Sequence, residues 1–315
     1  MSEELTKQEQ IVCEFKYLSN PEKFCRVSES IKFNSTHEIE SALKSGKILN
    51  RINIDEIKPE LSGMHSNLVE LAEINMQYLA QKETVHLHQI KGFQIEHNGK
   101  VFKAIYKPAS GEDNKTTTQL GIHDCYLREV AAYQLDNILK FGIVPPTVIK
   151  EDKDDIGSLQ LYVEEKTAEN HIIMSNQVDF EKESSGKDWQ LMAVFDYIMA
   201  NWDRKPENWL VDKRDNSILY AIDHGFSFYS RYLNVDSVIC GPRRTLTYNN
   251  KERKSIRTPL PDFIIERLMW VKESKIDKIN KVLTPLVPEF EIEQLLIRID
   301  KLLETKILIK SISID

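Results

Sequence analysis

The sequence predicts a mixed α+β chain in which antiparallel hairpins alternate with amphipathic helices. Three observations predict it. Apolar runs of strand length recur in pairs, at 93–107, 147–163 and 209–222. The links inside each pair are short polar turns, which join antiparallel neighbours. Between and after the pairs, apolar residues recur at helical spacing, as in Leu127, Ala131, Leu135 and Ile138.

The elements follow in order. Residues 1–82 read as mostly helical with mixed charge, and the clearest piece is Ser66 to Gln81. There Leu68, Leu71, Ala72, Leu79 and Ala80 share one face. With no chemical motif, this part reads as a packing or regulatory extension. From Thr84 the pattern turns extended, through Val85–Ile90 and Gly92–Glu96. Asn98-Gly99 is a hairpin signal because both residues tolerate positive φ. Val101 to Lys107 is the returning strand, and Pro108 ends it by donating no ladder hydrogen bond. After a polar loop from Ser110 to Thr118, a helix is expected from Asp124 to Lys140. Thr147–Ile149 and Leu159–Val163 form a second hairpin around the charged turn Glu151 to Asp155. Residues 164–187 read as a connector. Asp188 is the expected N-cap of a helix carrying Leu191, Phe195, Ile198 and Trp202. An amphipathic helix from Phe290 to Leu308 is expected to pack on the helical part of the fold.

Bulk properties narrow the function classes. The 315 residues suffice for one large domain or two lobes with real cores. A net charge of -7 argues against a general nucleic-acid binder. Cys13, Cys25, Cys125 and Cys240 are scattered, with no C-x-x-C pair to hold zinc. They fit reduced thiols in the cytoplasm. The polar start Met-Ser-Glu-Glu-Leu-Thr-Lys lacks an apolar signal core, and no stretch has the roughly 18 apolar residues of a membrane span.

The chemistry concentrates in Asn201-Trp202-Asp203-Arg204-Lys205-Pro206-Glu207-Asn208 and Asp223-His224-Gly225. Trp209–Val211 and Ile218–Ile222 read as a hairpin around Asp212–Ser217. Such a hairpin returns Asn208 and Asp223 to one open end, with Asp203 on the loop leading in. An amide oxygen and a carboxylate suit a hard divalent metal such as Mg²⁺ or Mn²⁺ on phosphates. A further carboxylate, Asp203, suits the proton of an attacking hydroxyl. D-x-x-x-x-N followed by D-x-G matches the spacing of a kinase catalytic loop and metal-binding motif. The plainer alternative is a structural turn, with Asp203 paired to Arg204 or Lys205.

A phosphate site also needs a cation and a carboxylate to hold it. Lys107, closing its strand, is the first candidate. Lys103 shares its face at period 2 and is the second. Glu129, early in the following helix, is the candidate partner.

At these residues the chain resembles the phosphatidylinositol 3- and 4-kinase-like branch of the protein-kinase superfamily, in particular type II phosphatidylinositol 4-kinases and small microbial members of the branch. The matching pieces run in order: Ala104–Pro108, Arg128–Tyr133, Val144–Thr147, Gly157–Glu164, Asn201–Asn208 and Ala221–Gly225. The resemblance implies a bilobal kinase-like α+β fold with a strand-rich N-lobe and a helical C-lobe. Residues 1–82 would be the helical N-terminal extension, 83–165 the N-lobe and 166–315 the C-lobe. It implies ATP and Mg²⁺ or Mn²⁺ as cofactors. Lys107 would contact the α- and β-phosphates with Glu129 as its partner. Tyr162, Val163 and Glu164 would be the hinge beside adenine, Asp203 the catalytic aspartate, and Asn208 and Asp223 the metal ligands. The chain departs from the pattern by having no G-x-G-x-x-G before Lys107, and only Gly92 lies nearby. An active kinase and a nucleotide-binding pseudokinase are therefore both open. A phosphoinositide kinase and an AMP-transferring enzyme on the same fold are further alternatives.

The acceptor is not named by the sequence. The segment from Gly225 to about residue 258 carries Arg243, Arg244, Lys251, Arg253, Lys254 and Arg257 against one acid, Glu252. A basic loop at 243–257 suits an anionic acceptor, and a solvated loop is the plainer alternative. His86 and His88 alternate on a strand without a third ligand, so they read as strand residues. Thr116-Thr117-Thr118 reads as a flexible loop.

Overall fold

The computed structural model describes residues 16–26, 31–52, 90–112, 122–153, 155–167, 186–201, 204, 208–228 and 258–308. The helix expected at 66–81, His86, His88, Thr116–Thr118 and the basic loop at 243–257 lie outside them. The chain divides into two compact units. One comprises 22–130 and 145–164; the other comprises 1–21, 131–144 and 165–315.

The first unit is built on an antiparallel sheet. Its strands are β1 (Lys47–Ile52), β2 (Lys91–His97), β3 (Lys100–Pro108), β4 (Thr147–Asp152) and β5 (Asp155–Leu161), in the order β1-β2-β3-β5-β4. The β2–β3 turn is Asn98-Gly99, with φ of 51° and 75°. Those angles are what a tight two-residue hairpin demands, so this turn was legible from its residue types. On β3, Phe102, Ala104 and Tyr106 are buried while Lys103, Ile105 and Lys107 are half-buried. Phe93 stacks on Tyr106, and Phe33 meets the Phe102 ring edge-on. Helix α1 (Glu22–Cys25) precedes α2 (Thr36–Ser45), which buries Ile39, Ala42 and Leu43 and packs against β2, β4 and β5. Ser35 caps α2 by accepting from the Glu38 N–H.

Lys47–Ile52 differs from the expectation of a helical extension reaching 82. It is a strand, paired to β2 with an irregularity between Ile48 and Asn50. Its sequence, Lys-Ile-Leu-Asn-Arg-Ile, has no clean alternation because an edge strand with one irregular register buries little.

The second unit has a helical core. Helix α3 (Cys125–Leu139) spans the division, which falls between Val130 and Ala131. Helices α4 (Lys187–Ile198), α5 (Asp262–Ser274), α6 (Ile276–Leu283) and α7 (Glu289–Thr305) follow. Leu135, Phe141, Leu191, Phe195, Trp209, Leu268, Leu295 and Ile299 share one buried cluster. A three-stranded sheet, β6 (Lys166–Thr167), β7 (Trp209–Val211) and β8 (Leu219–Ala221), and a two-stranded pair, β9 (Thr258–Pro259) with β10 (Ile307–Leu308), complete it. The last helix stops at Thr305, where Lys306 turns left-handed at φ 52°, so Ile307 and Leu308 are strand instead of helix. Asp188 is not the cap of α4. Gly186 holds that place, and the buried Asp188 carboxylate accepts from the Ser19 hydroxyl and the Leu219 N–H. A buried carboxylate takes donors from elsewhere in the fold when the local cap geometry is filled by glycine.

Candidate active site

Sequence-predicted residues fall in both units. In the sheet unit, β3 pairs with β5 so that Lys107 stands opposite Ser158 and Pro108 opposite Gly157. This register needs glycine at 157, where a Cβ would lie 2.3 Å from the Lys107 carbonyl oxygen and 2.8 Å from the Pro108 Cα. The Lys107 ammonium forms an ion pair and hydrogen bond with Glu129 Oε1 on α3. The Glu129 side chain is 3% exposed and that of Lys107 25%, so the carboxylate is buried and the lysine half-buried. A lysine held by a buried carboxylate is the arrangement a phosphate contact requires. Lys103, the second candidate, instead lies 5.7 Å over the Tyr162 ring.

Tyr162, Val163 and Glu164 follow β5 as irregular chain. The Tyr162 N–H donates to the Lys103 carbonyl at 3.1 Å, and Leu161 N–H to Pro146 O at 2.9 Å. These bonds fix where the segment leaves the sheet.

In the helical unit, β7 and β8 pair with Trp209 opposite Ala221. The Ile222 N–H donates to the Asn208 carbonyl at 3.1 Å, extending the ladder one step past the strands. Asn208 and Asp223 thus sit at the same open end of one hairpin. Asn208 is buried and Asp223 half-buried, with Asp223 left-handed at φ 59°. A non-glycine residue there costs roughly 1 kcal/mol or more, and aspartate is among the types that tolerate it. Gly225 and Phe226 turn the chain, and the Ser227 N–H closes on the His224 carbonyl at 2.9 Å. Asp203 lies outside the described residues.

The sequence reading missed the support of this end. Arg204 is buried, and its guanidinium is forked onto the buried Asp196 of α4, Nε to Oδ2 at 3.0 Å and Nη2 to Oδ1 at 2.9 Å. Nη1 donates to the Ile222 carbonyl at 2.7 Å and to the Asn208 carbonyl. Asn201 adds a bond from Nδ2 to Asp196 Oδ1 at 3.0 Å. Arg204 is therefore engaged by Asp196, where the plain turn reading had paired it with Asp203. One signal was available: Asp196 interrupts the apolar run Val194-Phe195-Asp196-Tyr197-Ile198. A lone acid in a buried run implies a cation partner.

The donor set fits a hard divalent cation. An Asn amide oxygen and an Asp carboxylate are oxygen ligands of the kind Mg²⁺ takes one or two at a time, with phosphate and water completing the shell. Among the described residues there is no cluster of three or more His, Cys, Asp and Glu side chains able to make an all-protein metal cage.

Residues 115–249 match the family model described as Phosphatidylinositol 3- and 4-kinase. That segment includes Glu129, Tyr162–Glu164, Asp203, Asn208 and Asp223, and begins after Lys107. No curated protein sequence matches the chain. Among solved structures, hydra Fam20 with sugar is 14% identical, covering 69% of this chain and 81% of that one, at a TM-score of 0.43. The Helicobacter pylori proinflammatory kinase CtkA is 16% identical, covering 69% and 88%, at 0.39. The Golgi casein kinase with Mn/ADP bound is 16% identical, covering 70% and 69%, at 0.41. Likenesses this distant carry no functional argument. The family match falls on the segment where the ordered motifs lie, so over residues 115–249 the chain is similar to phosphatidylinositol 3- and 4-kinases.

Proposed function

We propose that this protein is an ATP-dependent phosphotransferase acting on a hydroxyl of a protein or small molecule. The observation that carries the proposal is the β7–β8 register, which brings Asn208 and Asp223 to one hairpin end. Asn208 and Asp223 would hold Mg²⁺ or Mn²⁺, Lys107 held by Glu129 would meet the α- and β-phosphates, and backbone groups of Tyr162, Val163 and Glu164 would meet adenine. When bound, the metal would offset charge building on the β- and γ-phosphate oxygens. Asp203 accepts the proton of the acceptor hydroxyl as its oxygen bonds to the γ-phosphorus. The bond from that phosphorus to the bridging oxygen breaks, and ADP leaves with the electron pair. We place the protein in the cytoplasm on its cysteine usage; among the described residues no helix is long and apolar enough to cross a membrane.

The test is transfer of labelled γ-phosphate from ATP to the protein itself or to a panel of acceptors with Mn²⁺. Asp203→Ala and Asp223→Ala should each lower turnover by at least about 100-fold with folding intact. Turnover in both variants equal to that of the unaltered protein sinks the reading.

A second reading, a nucleotide-binding pseudokinase, has one specific observation behind it. Gly92 is paired within the sheet to Ile52 and Ile105, so it is strand and cannot serve as a phosphate-cradling loop. That reading predicts thermal stabilisation by ATP without transfer to any acceptor. Mass spectrometry of modified protein separates the remaining alternative, since an AMP adduct in place of phosphate marks nucleotide transfer. A phosphoinositide acceptor would show as labelled lipid in the same panel.

A further inference from the structure

The Asp196–Arg204 pair is built in a way that a plain core ion pair is not. Both side chains are essentially unexposed, at 0% and 1%. Asp196 takes three bonds from the guanidinium through Nε and Nη2, plus one from Asn201. The remaining nitrogen, Nη1, is spent on two backbone carbonyls, those of Asn208 and Ile222. These carbonyls belong to the two arms of one hairpin. One is on Asn208 itself, and the other is the peptide that leads into Asp223. At the open end, past the three-residue ladder of β7 and β8, the backbone hydrogen bond from Ile222 N–H to Asn208 O continues the pairing. A planar fork that grips both arms fixes their separation and twist more rigidly than that single bond. Arg204 is also the next residue to Asp203 in the chain.

We propose that Arg204, held by Asp196, is a positioning residue that sets the spacing of Asn208 and Asp223 in advance of metal binding. This rests on the reading of Asn208 and Asp223 as metal ligands given above. The arrangement has a consequence that simple stabilisation does not. Loosening the fork should weaken the metal site itself, and should do so in molecules that remain folded. Arg204→Lys keeps the charge but offers one ammonium where a fork reached Asp196 and two carbonyls, so it should not rescue the site. Asp196→Asn keeps the volume but releases the fork from its anchor.

The experiment titrates Mn²⁺ into the ADP complex of the full chain, followed by the electron paramagnetic resonance signal of free Mn²⁺, well below each variant's Tm. Arg204→Lys and Asp196→Asn should weaken Mn²⁺ binding about 10- to 100-fold, as loss of outer support does at metal sites. ADP affinity without metal should be unchanged. A lowered Tm with unaltered Mn²⁺ affinity overturns the proposal and leaves the pair as a core strut. Asn208→Ala and Asp223→Ala are measured alongside. If those two bind Mn²⁺ normally, the metal-ligand reading itself has failed; if they lose it while both pair variants keep it, only the positioning role has failed. Should neither pair variant fold, hydrogen exchange in the unaltered chain decides. A prepositioned end protects the Ile222 amide equally with and without Mg²⁺ and ADP. Protection that appears only with metal overturns the proposal.

Discussion

Replacing Lys107 with methionine should cost far more stability than an exposed lysine is worth. Its partner, the Glu129 carboxylate, is 3% exposed, while the Lys107 side chain is 25% exposed. Removing one member of a buried pair leaves a desolvated charge and costs about 3–5 kcal/mol. Solvent screening of the partly exposed lysine reduces that, which puts the expected loss below this range, at about 2–3 kcal/mol. Lys107→Met with Glu129→Leu removes both charges and should recover most of it, to within about 1 kcal/mol of the starting protein. The assay is urea unfolding followed by far-ultraviolet circular dichroism. Tryptophan fluorescence runs in parallel, because Trp189, Trp209 and Trp270 report on the helical unit alone. The loss should appear in the dichroism transition and leave the fluorescence transition nearly in place. A Lys107→Met cost below about 0.5 kcal/mol, the usual size of a surface change, would refute the reasoning. So would strictly additive single and double changes, since contacting residues must couple.

Other expectations follow from the same structure. Gly157→Ala places a Cβ 2.3 Å from the Lys107 carbonyl oxygen, so β3 must shift; a loss of about 1–3 kcal/mol is expected, together with weaker ATP binding measured by calorimetry. Arg267, buried and lowered to about 10 by burial, donates to the carbonyls of Leu139, Lys140 and Lys16; Arg267→Met should orphan them and cost about 3 kcal/mol in thermal or urea unfolding. Burial pushes the Asp212 carboxyl up, but the Arg214 N–H and the Tyr220 hydroxyl outweigh it and hold it below the ordinary carboxylate value. A depressed carboxylate contributes stability that is complete above its unfolded pKa, about 3.9, and is lost as pH falls through the folded value. Tyr220→Phe should therefore cost about 2 kcal/mol at neutral pH and flatten the acid limb of the stability–pH curve; an unchanged acid limb contradicts this.

Local chemistry explains what could be read from the sequence. Asn98-Gly99 announces its turn because few residue types accept those angles. The β7–β8 hairpin is equally local, two apolar triplets about a polar turn, so the joining of Asn208 to the residue before Asp223 was visible from spacing. Lys107 and Glu129 are 22 positions apart. Spacing made them candidates, and only the β3 register and the direction of α3 bring them together. What stayed hidden depends on tertiary partners. The role of Asp188 is decided by Ser19 and Leu219, 169 and 31 positions away. β1 is a charged, irregular edge strand without alternation. Helices α5 and α6 were not assigned at all, because charged residues crowd their apolar stripe. Arg204 was seen only as a possible partner of Asp203, since its true anchor lies on the preceding helix.

The central proposal is that Lys107 contacts the phosphates of ATP and that Asn208 and Asp223 hold its metal. A crystal structure of the full chain with a non-hydrolysable ATP analogue and Mn²⁺ tests it most directly. The account predicts Lys107 Nζ on the α- and β-phosphate oxygens, and oxygens of Asn208 and Asp223 on the metal at about 2.1 Å. A nucleotide bound with its metal held by other residues, or with Lys107 still turned wholly onto Glu129 and away from phosphate, would contradict it.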